Sequence, residues 1–440
     1  MFIRRFVALT LILSSFLACK QDLSYKSEVG NPKLIHNTVK QLTDIIVHDI
    51  FSPPVASRNY VYPSIAAYEA IIHDTIGFKS LAGQLTGLGP VPKPDKDKSY
   101  EFSISANKAF IDVGRALIFS EQKMNDYETD LMQKYAKMGV PSRVIKNSIE
   151  YGTKVANHIL NWSKNDNYHQ TRSFPKFSLT EKKHEWKPTP PAYMDAIEPH
   201  WREIRPFVLE HADQFSPEPP TPFDTDKNSK FYKETMEVYD AVKDADKEAV
   251  EIAQFWDCNP FVMNVTGHVM HATKKITPGG HWMGICSIAS QKNEDDIIET
   301  LRTYAWVSIA LADGFISCWD EKYRSNLTRP ETVINEYIDE DWVPLLQTPP
   351  FPEHTSGHSV ISTAAASVLT KIYGDNFQFD DDSEVEYGLP IRSFDSFIDA
   401  SNEAAISRLY GGIHYRPAID EGVSQGKAVG ELIAEKIKFE

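Results

Sequence analysis

Three short clusters in the last third of the chain carry the side chains best suited to chemistry. The first is Lys322 and Arg329, with six residues between them and Pro330 directly after. An ammonium is a compact point charge, and a guanidinium is a planar fork that grips a tetrahedral oxyanion through paired N–H donors. The second is Ser356-Gly357-His358, which runs into the apolar, alanine-rich stretch Ser359–Leu369. That stretch reads as a helix, so Ser-Gly-His stands where unpaired amides and the positive dipole end favour an anion. Gly357 lets the backbone approach a ligand, Ser356 adds a hydroxyl donor, and His358 can move a proton near neutral pH. The third is Ser407-Arg408 and His414, with five residues between Arg and His across a Gly411-Gly412 break. Taken singly, each has an ordinary reading: a solvated charged loop, a helix cap, a histidine between helices. Together they supply three cations, a helix N-terminus and two histidines, the inventory for a phosphate-like anion with one covalent and one acid–base imidazole. Unit charges about 4 Å apart interact by roughly 4 kcal/mol at an effective dielectric near 20, enough for three cations to hold a multiply charged oxyanion.

The elements that must position these residues read as helices. Apolar spacing of three and four predicts helices over about 35–50, 61–74, 102–119, 121–138 and 143–163, and again over 294–317. Alternating, strand-like runs are nearly absent. Residues 80–98 and 164–230, rich in Gly, Pro and aromatics, read as two long loops able to cap a bundle. The last helix, from about Pro417 to Ile437, carries Gly422, Gly426 and Gly430 at spacings of four. Such a stripe is costly unless another backbone packs closely against it. The expected class is all-α: helical bundles with long capping loops.

Composition sets the outer limits. The 440 residues, 42% hydrophobic and 24% charged, suit one large globular domain, divided here into an N-terminal half over about 35–230 and a site-bearing bundle over about 231–440. A net charge of −15, from 46 basic and 61 acidic side chains, argues against nucleic-acid binding through a general field. Any anion site is therefore a local exception. Arg4 and Arg5 precede an apolar run from Phe6 to Leu17 that ends in Ala18-Cys19, the pattern of a signal peptide over 1–18 with lipidation at Cys19. A flexible leader over 19–34 would follow, and the lipid would be the only membrane attachment of an exported, periplasmic or cell-surface protein, or of a secreted one. Cys258, Cys286 and Cys318 form no CxxC pair and read as buried small apolar residues.

The three clusters, in order and with both internal spacings intact, resemble the signature of the type 2 phosphatidic acid phosphatases and the vanadium haloperoxidases. Softer likeness to bacterial haloperoxidase-like proteins lies in 186–208 and 256–284, including Trp256-Asp-Cys-Asn-Pro. The resemblance implies vanadate as cofactor, with phosphate able to occupy the same site. Lys322, Arg329, Arg408, Ser356 and Gly357 would contact its oxygens, His414 would be the axial vanadium ligand, and His358 the acid–base residue. It further implies hydrogen peroxide and halide as substrates, small organic halogen acceptors, and a hypohalous product. Trp319 and Phe351 are similar to the aromatic halide-pocket positions, and iodide or bromide is the expected halide. Two positions depart from the pattern. Thr355 stands where Pro usually precedes Ser-Gly-His, and Ala418 stands where an Asp often follows the last His by four residues. Rival readings are a phosphatase with His414 as nucleophile and a non-catalytic oxyanion-binding lipoprotein. A zinc hydrolase has less behind it, because His268 and His271 lack an HExxH context. His281 and His354 could line the cavity. The sequence leaves oligomeric state open.

Overall fold

The computed structural model describes residues 25–73, 77–260, 262–266, 269–272 and 274–440. The signal-peptide and lipidation expectations for residues 1–19 lie outside the described residues. Two largely apolar helices form the centre and are buried on nearly every face, their few polar side chains included. One is α3 (Pro53–Ile71), every residue of which is buried. It follows α1 (Tyr25–Val29) and α2 (Lys33–Asp49). The polar leader expected to reach residue 34 therefore ends earlier, because Tyr25 and Val29 are packed into the core. On α3 pack α4 (Phe102–Arg115) and α6 (Ser142–Ser163), with α5 (Glu121–Lys137) outside.

The second central helix is reached through α7 (Tyr168–Thr171), α8 (Lys230–Lys243), α9 (Lys247–Phe255) and α10 (Pro278–Lys292). It is α11 (Ile297–Ser325), started by a capping box between Asp296 and Glu299 and stopped at Asn326, whose φ is 48°. It packs against α3 on one side and α13 (Gly357–Tyr373) on another. The two halves thus share one hydrophobic core, and the expected boundary near residue 230 is no gap in packing. After α11 come α12 (Pro330–Tyr337), α13, α14 (Phe397–Tyr410) and α15 (Arg416–Lys436). The glycine stripe lies where the backbone argument requires it. A Cβ at Gly426 would sit 2.2 Å from the Val360 carbonyl oxygen, and one at Gly430 would sit 2.8 Å from that of Ala364.

Among the described residues, strand structure consists of two antiparallel ribbons, β1 (Met263–Thr266) with β2 (Val269–Ala272) and β3 (Phe379–Asp381) with β4 (Arg392–Phe394), and an isolated bridge between Glu185 and Leu327. No helix among the described residues is long and apolar enough to cross a membrane. The long segment after α6 is pinned over the middle of α11. The buried carboxylate of Asp313 accepts from the amides of Phe207 (2.7 Å), Val208 (2.7 Å) and Leu209 (3.0 Å).

Candidate active site

Four segment ends converge on one cavity. Lys322 lies in the last turn of α11, Arg329 is the residue before α12, Ser356 caps α13, and Arg408 closes α14 ahead of the loop that presents His414. Lys322 and Arg329 are both 0% exposed, which removes the solvated-loop reading of that pair. Ser356 accepts from the Ser359 amide through its hydroxyl oxygen, leaving the hydroxyl hydrogen free to donate. Its own amide donates to the Ala418 carbonyl (2.9 Å), which ties α13 to α15. The Gly412 turn, at φ 75°, admits no side chain, since a Cβ would meet Val242 at 2.6 Å. That turn aims His414 back at the α13 terminus.

The donor set is unbalanced in a way that identifies its ligand class. Arg329 spends Nε on the Phe351 carbonyl (2.9 Å) and Nη1 on Ile413 (2.8 Å), while its buried Nη2 has no partner. Arg408 gives Nη1 to the Trp256 carbonyl (2.6 Å), and its buried Nε has no partner. The buried Nε2 of His358 is likewise unpaired. Orphaned buried polar atoms of this kind cost free energy unless a ligand satisfies them. A Cβ added to Gly357 would meet nothing nearer than Trp319 at 3.7 Å, so a side chain there would fill the cradle rather than clash with its walls. These features fit a tetrahedral oxyanion. Lys322 is used differently from the simple expectation. Its three N–H donors go to the carbonyls of Pro352 (3.1 Å), Glu353 (3.0 Å) and Thr355 (2.5 Å), so its charge acts on the cradle from behind. Burial, reinforced by Arg329, pushes it down to about 7. Three carbonyl acceptors nevertheless match the charged form, which alone has three donors.

Both histidines are held neutral. Burial first, then the Arg329 and Lys322 charges, holds His414 well below the ordinary imidazole range; burial and Arg408 do the same to His358. His414 Nδ1 lies 2.8 Å from Glu353 Oε1, which also accepts from the Tyr415 amide at 2.9 Å. An oxygen already accepting one N–H makes Nδ1 the protonated nitrogen, so Nε2 presents its lone pair, 3.2 Å from Arg329 Nη1. Burial raises the Glu353 carboxyl to about 7, with Arg329 and Lys322 pulling it down. Glu353 is the residue that sequence reasoning missed. It does for His414 what an Asp four residues later would do, and Ala418 at that position is buried and apolar. The available signal was a lone carboxylate beside the Ser-Gly-His cluster.

Trp319 and Phe351 line the cavity with ring centroids 4.9 Å apart, joined there by Gly357, His358, Arg408, His414, Cys258 and Asn259. The cavity is small, about 30 Å³; clefts of 360, 690 and 520 Å³ elsewhere hold none of these residues. The expectation for His354 and His281 is corrected: neither lines the cavity. His354 Nε2 reaches the Glu218 carbonyl at 3.1 Å, and His281 lies in a separate buried cluster. His268 is outside the described residues.

Comparison with known proteins agrees with this arrangement. Residues 302–439 match a family described as the VCPO second helical-bundle domain. A search of curated proteins finds no match. Among solved structures, a bacterial protein described as the first bacterial vanadium-dependent iodoperoxidase is 51% identical. That match covers 92% of this chain and 97% of the other, with a TM-score of 0.88. The chain belongs to the vanadium-dependent haloperoxidase family. A holo-type bacterial vanadium-dependent chloroperoxidase shares the fold at 15% identity, covering 88% of this chain and 93% of its own, with a TM-score of 0.65. Its apo-type counterpart gives a TM-score of 0.67 at 15% identity, over 88% and 94%. Haloperoxidase membership decides against the phosphatase and binding-only readings and implies vanadate as the oxyanion.

Proposed function

We propose that this haloperoxidase oxidises iodide in preference to bromide and chloride, using hydrogen peroxide and releasing a hypohalous species. The observation that carries the site reading is the set of unpaired, buried Arg329 Nη2, Arg408 Nε and His358 Nε2 atoms around the His414 lone pair. Support for iodide is that it is the easiest halide to oxidise and that the 51% identical relative is described as an iodoperoxidase. Vanadate, when bound, supplies a Lewis-acid centre that activates peroxide.

The geometry supports the following roles for the protein's own residues. Arg329 and Arg408 hold the oxyanion and stabilise charge on it, with Ser356 and the Gly357 amide completing the cradle and Lys322 adding positive potential from behind. His414 offers Nε2 as ligand because Glu353 fixes the proton on Nδ1. His358, neutral and facing the cavity, would accept a proton from incoming peroxide at its unpaired Nε2 and hold it for later return. Trp319 and Phe351, both buried in the cavity lining, would offer a polarisable wall to a soft halide. Organic halogen acceptors remain a reading from resemblance. So do export and lipidation at Cys19, which palmitate labelling lost in Cys19→Ala would test.

The halide assay uses vanadate-reconstituted protein with peroxide and each halide in turn. Iodide turnover with at least tenfold lower bromide turnover and no chloride turnover is expected. Equal or faster bromide turnover would overturn the halide preference.

A further inference from the structure

Beside the oxyanion cavity, and sharing Cys258 with its lining, a buried cluster among the described residues has the composition and spacing of a metal centre. Cys258 Sγ lies 3.4 Å from His281 Nδ1 and 3.8 Å from Glu384 Oε1, and His281 Nδ1 lies 3.2 Å from the same Glu384 oxygen. A tetrahedral zinc with sulfur at ~2.3 Å and nitrogen and oxygen near ~2.0 Å sets its ligand atoms about 3.3–3.6 Å apart. The three observed separations bracket that range. We propose that Cys258, His281 and Glu384 bind one zinc-class divalent cation beside the oxyanion cavity.

Two further features point to a metal rather than a chance meeting of polar groups. Histidines that ligate a metal usually donate the other ring N–H to a carboxylate, which fixes the ring and strengthens the ligand. His281 Nε2 does so to Asp381 Oδ2 at 2.8 Å, and Asp381 Oδ1 is itself held by the Ser383 hydroxyl (2.5 Å) and amide (3.1 Å). The three ligand residues are 1%, 0% and 5% exposed and come from three separate segments: the turn after α9, helix α10 and the turn after β3. In the metal-free protein an imidazolium between two carboxylates, with the Cys258 thiol hydrogen-bonded to it, occupies the same positions; what a metal adds is a common centre for Sγ, Nδ1 and Oε1, which face one another within 3.8 Å. Three protein ligands leave the fourth tetrahedral position to water or an exogenous group.

The site has a consequence for the cavity next to it. The Trp256 ring stacks on His281 at 4.6 Å, the Trp256 carbonyl receives Arg408 Nη1, and Cys258 lines the oxyanion cavity. A cation here fixes the 256–259 wall against α10, and through Trp256 it positions Arg408.

The test uses full-length folded protein stripped with chelator, then titrated with Zn²⁺ against a chromophoric chelator and separately loaded with Co²⁺. One zinc per chain is expected, and the cobalt form should show thiolate-to-metal charge-transfer absorption. Cys258→Ser, checked for native circular dichroism, should abolish that absorption, and Asp381→Asn should weaken zinc affinity by roughly 10–100-fold. Absence of zinc uptake, or a cobalt form without the charge-transfer band, would overturn the proposal. So would uptake unchanged in Cys258→Ser and Asp381→Asn.

Discussion

At the residue scale the account turns on Glu353, which joins two backbone contacts to the chemistry. Its Oε1 holds both the His414 ring and the Tyr415 amide, and its own carbonyl takes one of the three Lys322 donors. Glu353→Gln keeps the shape but offers a neutral amide, which can turn its NH₂ towards Nδ1 and push the imidazole to the wrong tautomer. The expected result is a roughly 10–100-fold loss of vanadate affinity with the fold intact, read by equilibrium dialysis and circular dichroism. Unchanged affinity would mean that Glu353 serves only the backbone. The seven candidate oxyanion residues stand out in the sequence because motif order and spacing are local properties. Glu353 could not be, since its partner is 61 positions away and only the Gly412 turn brings the two together. The three-carbonyl nest around Lys322 was hidden for the same reason: backbone oxygens leave no mark in a side-chain pattern.

At the element scale most helices were legible to within a few residues, but α3 starts at Pro53, eight residues before the expected 61, and α11 runs to Ser325, eight past the expected 317; the glycine stripe pointed to a close helix pair without naming the partner. That partner is α13, the helix whose N-terminus forms the cradle, so the α13–α15 contact sets where Ser356 and Gly357 stand. Gly426→Ala puts a methyl 2.2 Å from the Val360 oxygen, in a place where backbone and not a flexible side chain must yield. A loss of about 3 kcal/mol is expected in a denaturant titration, with a lower midpoint and an unchanged slope. A loss under 0.5 kcal/mol would show that the two helices separate easily and that the cradle is not braced there. The short ribbons were missed because two four-residue strands and two three-residue strands give too little alternation to detect. One of them matters: the turn after β3 supplies Glu384 to the buried cluster.

At the scale of the whole molecule, an acidic chain of net charge −15 concentrates three cations and two neutral histidines at one buried site. Neutral buried histidines have a cost that appears as pH dependence. His36, whose Nδ1 meets the Tyr304 hydroxyl at 2.7 Å, is held down to about 4 by burial. The unfolded chain takes up this proton near 6.5, well before the folded one does. The stability tied to His36 is therefore fully present above pH 6.5 and drains away as the pH falls towards 4. His36→Asn, which keeps an acceptor for Tyr304, should become more stable relative to the parent by about 3 kcal/mol over that window, read as midpoints at pH 7 and pH 4. A constant difference between the two proteins would place the proton elsewhere. Composition foresaw the local exception in an acidic surface, but not that both halves of the chain share one core, because packing between α3 and α11 is a long-range property.

The most direct test of the central claim is a titration of cofactor-free protein with vanadate while iodide oxidation by hydrogen peroxide is followed. Activity should rise from zero to a plateau at one vanadate per chain, fall when phosphate competes, and be absent throughout in His414→Ala. Iodide oxidation that is independent of vanadate, or full activity in His414→Ala, would contradict the account.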